Sequence, residues 1–221
     1  ITNMNIANKD AKPAVATPAP ARNAPTAERR QYRMSARAES MAATREAILG
    51  AAREAFTARP FDDVTLNDVA SASGVTVQTV IRRFGGKEQL FSAVAEQERS
   101  RILASREVPV NAEFDIALDA LLDHYETDGE VVLHLLAQEE RVGSVAEVVR
   151  QGRRVHREWV ERHCAFAIGS RTGAARERAI HAAFAATDLG TWKLLRTSLG
   201  LERNEVAAVM AALIEGLKGE S

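Results

Sequence analysis

The sequence predicts an all-α protein, in which a three-helix helix-turn-helix head is followed by a helical bundle, with about nine helices in total. Alanine is abundant and only six prolines occur among the 221 residues, a composition that favours helices over sheets. Apolar residues recur at helical spacing through most of the chain after about residue 40. Glycines and prolines separate these segments at intervals of one helix length.

Residues 1–38 are predicted to be a disordered basic arm. The stretch "AKPAVATPAPARNAPTAE" is rich in alanine and contains four prolines, so it has no helical or strand period and buries too little surface to fold. Residues 1–40 contain seven basic and three acidic groups, a net charge of +4, whereas the whole chain carries −1. A basic arm on a mildly acidic body indicates that one end of the chain contacts a polyanion.

Cysteine usage and hydropathy narrow the class of protein further. The one cysteine, Cys164, excludes an intrachain disulfide, so the sequence does not require an oxidising compartment. No apolar run approaches the roughly 18 to 20 residues of a membrane span, and the first residues lack the apolar core of a signal peptide. We therefore expect a cytoplasmic protein that has no membrane partner and no cofactor.

The helices of the head are predicted within residues 39–95. In "TREAILGAAREAF" apolar residues recur every four positions, and Pro60 ends this helix. Thr65 is an expected N-cap with Asp68 three residues later, and Gly74 ends the second helix. Thr76 is the next expected N-cap. A fourth helix is predicted after Gly85-Gly86, ending before Pro109.

The spacing of Ala70, Gly74 and Val80 predicts a helix-turn-helix over about residues 66–85. Two short helices that cross steeply need a small residue at their contact and a residue that tolerates positive φ in the turn, and Ala70 and Gly74 meet these needs. Val80 and Phe84, four residues apart, are the expected inward anchors. The outer and flanking faces then carry side chains that bind phosphates and base edges: Thr76, Gln78, Thr79, Arg82 and Arg83.

The second half of the sequence is also predicted to be helical, over roughly residues 112–127, 130–142, 145–168, 173–199 and 203–217. The expected breaks are Gly129, Gly143, Gly169 with Gly173, and Gly200. The last two helices have broad apolar faces, which indicates a partner outside the chain itself. The residues expected at this interface are Val206, Val209, Met210 and Leu213.

The run "TREAILGAAREAF" and the later "FDDVTLNDVASASGVTVQTVIRRFGGKEQLFSAV" resemble the DNA-binding domain of the tetracycline-repressor (TetR) family. The resemblance covers residues 44 to about 95. Its specific marks are Thr65, Ala70 and Gly74-Val75 at fixed spacing, followed by the run from Phe84 through Lys87-Glu88 to Leu90.

The resemblance implies a homodimer that binds a palindromic double-stranded DNA operator, with residues 96–221 forming an effector-binding and dimerisation domain. The expected function is transcriptional repression relieved by a small molecule. By position, the implied phosphate-side contacts are Thr65, Thr79, Arg83 and Lys87, and those near base edges are Asn67, Val77, Gln78 and Arg82. Two departures stand out: Ile81 occupies the usual place of a tyrosine, and Arg59-Pro60 replaces the glycine usual after the first helix.

An effector pocket is expected among the helices of residues 96–221. Aromatic, histidine and acidic side chains lie on these helices, although each aromatic one also fits an ordinary core position. The acid Asp188 is the most specific of them, because a carboxylate is costly to bury without a partner. Its expected partner is either a cationic effector or an arginine at the dimer interface. The candidates are Tyr125, His134, Trp159, His163, Phe166, Phe184, Asp188 and Trp192.

Other functions remain open from the residues alone. His156 and His163 lie seven residues apart beside Cys164, but zinc ligands on a helix prefer three or four, so no metal is expected. No nucleophile elbow, P-loop or dinucleotide fingerprint occurs, so no catalytic residue is expected. The alternatives are a DNA-binding regulator that needs no ligand and an enzyme with a DNA-binding head.

Overall fold

The computed structural model describes residues 27–109 and 112–219, and all regular structure in these two ranges is helical. The all-α prediction is confirmed. No helix in these ranges combines the length and apolarity needed to cross a membrane. The elements are α1 (Ala27–Ala58), a 3₁₀ turn (Phe61–Asp63), α2 (Leu66–Ala72), α3 (Val77–Phe84), α4 (Lys87–Ser105), α5 (Phe114–Leu136), α6 (Gly143–His163), α7 (Ala165–Ile168), α8 (Gly173–Thr187), α9 (Leu189–Lys193), a π turn (Leu194–Ser198), α10 (Arg203–Gly216) and a 3₁₀ turn (Leu217–Gly219).

The chain divides into two units between Met41 and Ala42. In the first unit, helix α1 already begins at Ala27. Residues 27–38 are therefore helical, and the prediction of a disordered arm through residue 38 is wrong for this segment. This segment contains no proline and is rich in alanine, arginine and glutamate, which are good helix formers. The rest of the expected arm, residues 1–26, lies outside the described residues.

In the second unit, α1 to α4 pack around the apolar core of the head. Val69 of α2, Val80 of α3 and Leu90 of α4 are completely buried in it. Phe56 and Phe61 stack with ring centroids 5.7 Å apart, and the ring of Phe91 meets both edge-on. Such aromatic contacts add to the stabilisation that comes from burial alone.

The core of the head is completed by helix α6 of the body. Val142, Val145 and Val149 are buried in the same apolar cluster as the head residues. Gln138, also buried, accepts a hydrogen bond from the backbone N–H of Phe61 at 2.7 Å and donates one to the carbonyl of His134 at 3.0 Å. The packing is therefore continuous across the domain division expected at residues 95 and 96.

Helices α5, α6, α8 and α10 enclose a second apolar core in the body. Leu121, Val160, Ile180 and Ile214, one from each helix, are completely buried in it. Arg203, the first residue of α10, binds Asp119 and Asp123 of α5. Because the charged pairs lie at the surface, burial of apolar side chains supplies most of the stabilisation.

Three of the expected helix boundaries in the body are wrong. Helix α5 continues through Gly129, where a break was expected, because the side chain of Trp192 occupies the space beside that glycine. The segment expected over residues 145–168 is interrupted at Cys164. The segment expected over residues 173–199 is interrupted at Asp188, whose carboxylate caps α9 by accepting the N–H of Gly190.

Candidate DNA-binding surface and effector cavity

A capping box fixes the start of α2, the first helix of the helix-turn-helix. The Thr65 hydroxyl accepts the N–H of Asp68 at 3.2 Å, and the Asp68 carboxylate accepts the N–H of Thr65 at 2.9 Å. This backbone hydrogen bond holds the pKa of Asp68 below its usual value, and Arg59, 3.3 Å away, adds to the effect. The predicted cap is confirmed, and it uses the hydroxyl of a residue proposed to contact DNA.

The turn between α2 and α3 depends on Gly74. Its φ of +67° lies in the left-handed region, which glycine adopts without steric cost. The N–H of Val75 donates to the carbonyl of Ala70 at 3.0 Å and closes the end of α2. The Thr76 hydroxyl then accepts the N–H of Thr79 at 3.2 Å and starts α3. The predicted helix-turn-helix is therefore confirmed in its turn and in both caps.

Helix α3 separates an inward face from an outward face. Val80 is completely buried and Phe84 is half-buried against the same core. Gln78 and Arg82, four residues apart, share the exposed face, and Ile81 between them is 41% exposed. Arg45 of α1 lies over the ring of Phe84 at 4.9 Å, so the structure places a further cation beside the end of α3 that no local pattern had indicated.

The remaining residues predicted to contact DNA differ in the exposure and hydrogen bonding of their side chains. Thr65, Asn67 and Thr76 are exposed, whereas Val77 and Arg83 are half-buried. The Thr79 hydroxyl lies 3.0 Å from that of Thr76 and shares a hydrogen bond with it. These side chains are gathered on the head around α2 and α3, as the sequence predicted, but their contact with DNA stays a prediction.

Lys87 has a role in the structure that sequence reasoning missed. Its Nζ donates to the backbone carbonyls of Phe61 at 3.0 Å and Asp62 at 3.3 Å, and it lies 4.4 Å from the centre of the Phe61 ring. The ammonium therefore ties the start of α4 to the 3₁₀ turn that precedes α2. The Lys87 ammonium has three N–H groups, and these two hydrogen bonds leave at most one of them for a phosphate.

A comparison with protein families matches residues 48–94 to the family described as "Bacterial regulatory proteins, tetR family". Through these residues, about a fifth of the chain, the head is similar to the tetR family. The matched segment contains the capping box, the Gly74 turn and the whole of α3, and so coincides with the part of the head whose geometry is described above.

The curated proteins that the chain resembles are transcriptional regulators. The regulator AlkX of Mycobacterium tuberculosis is 28% identical over 112 residues, which cover 51% of this chain and 48% of AlkX. The regulator SrpR of Pseudomonas putida is 38% identical over 71 residues, 32% of this chain and 30% of SrpR. The chain therefore spans about half or less of the length of the curated relatives it matches.

Solved structures resemble the chain over most of its length. Salmonella enterica GusR has a TM-score of 0.63 at 21% identity, over 80% of this chain and 95% of GusR. A tetR-family regulator from Streptomyces coelicolor has a TM-score of 0.60 at 17% identity, over 80% of this chain and 89% of its own. At these identities the likeness establishes the fold of the body as well as the head.

A cavity of about 830 Å³ lies beside α4, and we call it the α4 cavity. Its volume lies within the roughly 300–1,000 Å³ range of small-molecule sites. Residues of α1, α4, α5, α6 and α8 line it, and they include Arg106 directly after α4 and His124, Tyr125 and His156 of the body.

Of the predicted pocket residues, Tyr125, Phe184 and Asp188 line the α4 cavity. The other five do not line it. Trp159 and Trp192 are buried in the body core, and Phe166 is 43% exposed beside Phe114. The half-buried His134 and His163 also lie outside the cavity lining. Helical periodicity identifies an inward face, but it does not distinguish a face toward a cavity from one toward a filled core.

Sequence reasoning missed Arg106, His124 and His156 as cavity residues. Burial, together with the charge of Arg106, lowers the pKa of His156 to about 3. Burial also lowers the pKa of His124, against the hydrogen bond from its Nδ1 to Asp128 at 3.0 Å. Both imidazoles are therefore neutral at pH 7. No local motif marks these positions, because helices distant in the chain bring them together.

The predicted dimer residues fall into two groups. Val206 and Met210 are completely buried in the core of their own chain, so they cannot form the outer surface expected of them. Val209 is half-buried and Leu213 is 48% exposed. The reason is that α10 covers α5 and α8 with one side and turns the other outward, while helical spacing assigned all four residues to one apolar face.

The histidines and cysteine considered for metal binding do not assemble into a site. Within residues 27–109 and 112–219, no three histidine, cysteine or acidic side chains lie close enough together to hold a metal ion. His156 stacks on Trp159 with ring centroids 5.8 Å apart and shares a hydrogen bond with Thr187. Burial raises the pKa of the Cys164 thiol to about 12, which leaves it a poor nucleophile.

Proposed function

We propose that the chain is a DNA-binding transcriptional regulator that inserts α3 into the major groove. The observation that carries the proposal is the exposed face of α3, where Gln78 and Arg82 lie four residues apart above the buried anchor Val80. Glutamine can pair with adenine and arginine with guanine through two hydrogen bonds each. The two capping threonines, Thr65 and Thr76, stand at the helix N-termini, where backbone N–H groups favour a phosphate.

The regulator is proposed to act as a homodimer on a two-fold symmetric operator. The outward side of α10 offers Leu213 and Val209 together with the small exposed residues Ala208 and Ala212. The exposed side of α8 is similarly small, with Ala182 and Ala185. Small and apolar side chains let helices of two subunits approach closely and form a four-helix bundle. Two α3 helices then reach successive major grooves, about 34–36 Å apart.

Release from the operator is proposed to follow binding of a small molecule in the α4 cavity. Helix α4 begins at Lys87, which holds the 3₁₀ turn before α2, and ends just before Arg106, which lines the cavity. Its 19 residues span about 28 Å, so a shift at the cavity is carried to the head by a rigid element. A ligand that binds one position of α4 more tightly shifts the population toward that state, and the protein then acts as a repressor.

The proposed role is regulatory rather than enzymatic. The curated relatives that the chain matches are regulators. The cavity histidines are neutral and the one thiol is buried, so the features that would favour catalysis are weak. A regulator that needs no ligand would share the same head, but the volume of the α4 cavity favours the ligand-responsive form.

Selection of binding sites from a random duplex library by the full chain tests this function. We expect enrichment of a two-fold symmetric sequence, and we expect library compounds that raise the melting temperature of the protein to weaken binding to that sequence. Failure to enrich any sequence would contradict DNA readout. A protein that binds a selected sequence but is never released by a compound that stabilises it would instead be a ligand-independent regulator.

A further inference from the structure

Arg106 has a half-buried guanidinium with no acidic partner in the part of the chain that the structure describes. Its side chain lines the α4 cavity directly after helix α4. Its Nε and Nη2 are shielded from solvent, and neither has a hydrogen-bond partner within residues 27–109 and 112–219. Removing a guanidinium from water without an acid or an acceptor costs free energy, so a stable fold has no structural reason to keep an arginine here.

The other arginines that line the α4 cavity all have carboxylate partners. Arg153 binds Glu139 at 2.8 Å, and Arg101 binds Asp128 at 2.6 Å. Arg99 pairs with Glu96, and Arg53 lies 3.8 Å from Glu98. Arg106 is thus the one cavity arginine without an acid in the part of the chain that the structure describes, and it marks one position in the cavity wall as electropositive.

Tyr125, His124 and His156, which lie near Arg106, are neutral. Asp188 also lines the cavity, but its carboxylate accepts the N–H of Gly190 at 2.8 Å. Burial raises the pKa of Tyr125, whose hydroxyl donates to the carbonyl of Thr187 at 2.9 Å. Burial and the charge of Arg106 lower the pKa of both His124 and His156. The ring of Trp159 lies 5.9 Å from the guanidinium carbon, and a cation–π contact of this kind offsets only part of the cost.

The rest of the cavity wall near α4, α5 and α8 is largely apolar. Its side chains include Ile102, Val131, Val132, Leu135, Phe184 and Leu189. In the low dielectric of such a site, an anion near the guanidinium interacts far more strongly than it does in bulk water.

From this geometry we propose that the α4 cavity binds a small organic acid, with its carboxylate beside Arg106 and its hydrocarbon part against the apolar wall. The inference rests on the proposed effector role of the cavity and specifies the chemical class of the effector. A cationic ligand meets the unpaired guanidinium and is repelled, and a neutral ligand leaves the guanidinium uncompensated. Charge at one end, rather than size or apolarity, is then the property that selects the ligand.

Calorimetric titration of the full chain at pH 7, without DNA, tests the inference with three probes of equal length: decanoate, 1-decanol and decylamine. We expect decanoate to bind roughly tenfold to a hundredfold more tightly than 1-decanol, which corresponds to one charge-assisted hydrogen-bonded pair. Decylamine should bind more weakly than 1-decanol. The comparison is made on the wild-type protein and does not depend on the folding of any variant.

Arg106→Gln and Arg153→Gln are the matched pair of variants. Arg106→Gln should lose the preference for decanoate and keep its affinity for 1-decanol, and its melting temperature should equal or exceed that of the wild type because an unpaired buried charge is removed. Arg153→Gln removes a cavity arginine that has its own carboxylate partner, and it should keep the preference for decanoate.

Equal binding of the three probes by the wild type, or no binding of decanoate at all, would overturn the inference. So would an Arg106→Gln protein that still prefers decanoate. None of these results affects the proposed DNA binding or its release by another class of compound. If decanoate binds through Arg106 and leaves the operator complex intact, the ligand class stands and the release mechanism fails.

Discussion

At the scale of single residues, Gln78 and Arg82 are proposed to read bases because they are exposed on α3 and turned away from its buried side. Gln78→Ala and Arg82→Ala should each weaken operator binding by about 1–3 kcal/mol and weaken binding to random DNA less. Fluorescence anisotropy titrations on both duplexes measure the two losses. Arg150→Ala, at an exposed position of α6, is the control and should change neither affinity. Equal losses on both duplexes would assign the residue to the DNA backbone.

The Asp68 carboxylate makes the capping box dependent on pH. Its pKa is lowered in the folded state by the backbone N–H of Thr65, so its contribution is fully present above the unfolded pKa of about 3.9 and is lost as the pH falls through the folded value. Asp68→Asn should therefore lower the free energy of unfolding at pH 7 and have a smaller effect below pH 3.5. Urea denaturation at both pH values checks this. A difference from wild type that stays constant with pH would show that the carboxylate charge is not what stabilises the cap.

At the scale of helices, packing rather than backbone geometry requires a glycine at position 129. A Cβ at this position would lie 3.0 Å from Trp192 Cζ3 and 3.2 Å from Leu189 Cδ1. The indole is buried and its Nε1 donates to Glu126 at 3.3 Å, so it has little freedom to move. Gly129→Ala should destabilise the protein by about 1–3 kcal/mol despite the better helix propensity of alanine.

Gly50→Ala in α1 is the matched control for Gly129→Ala. A Cβ at Gly50 meets no atom within 4 Å, so this change should stabilise the protein by about 0.5–1 kcal/mol through helix propensity alone. Thermal unfolding of both variants measures the contrast. If Gly129→Ala were as stable as Gly50→Ala, the close approach of Trp192 would not be a constraint on α5.

The two glycines also show how far the sequence predicts the helices. The caps at Thr65 and Thr76 and the turn at Gly74 could be predicted because each depends on residues within four positions of it. The continuation of α5 through Gly129 could not, because it depends on Trp192, which lies 63 positions away along the chain. An interior glycine costs a helix only about 1 kcal/mol, so tertiary packing easily outweighs it.

The same distinction applies to the candidate sites. The outward face of α3 follows from local periodicity, so its exposed residues could be predicted. The α4 cavity is formed by helices from different parts of the chain, so the sequence yielded only Tyr125, Phe184 and Asp188 of its lining and not Arg106. For α10, periodicity identified the apolar residues, but only the packing shows that Val206 and Met210 face inward.

At the scale of the whole molecule, the proposed dimer depends on the outward side of α10. Val209→Glu combined with Leu213→Glu should give monomers that keep their helical circular dichroism and lose operator binding. Leu199→Glu, at a position that is 61% exposed before α10, is the control and should remain dimeric. Met210→Glu should instead unfold the body, because it buries an unpaired charge. Light scattering that still reports a dimer for the double variant would place the interface elsewhere.

The central claim is that two copies of the chain read one DNA duplex through paired α3 helices. Hydroxyl-radical footprinting of the full chain on its selected sequence, with sedimentation of the same complex, tests it most directly. We predict two protected patches on one face of the duplex, about 34–36 Å apart from centre to centre, and two chains per duplex. A single protected patch, or one chain per duplex, would contradict the account.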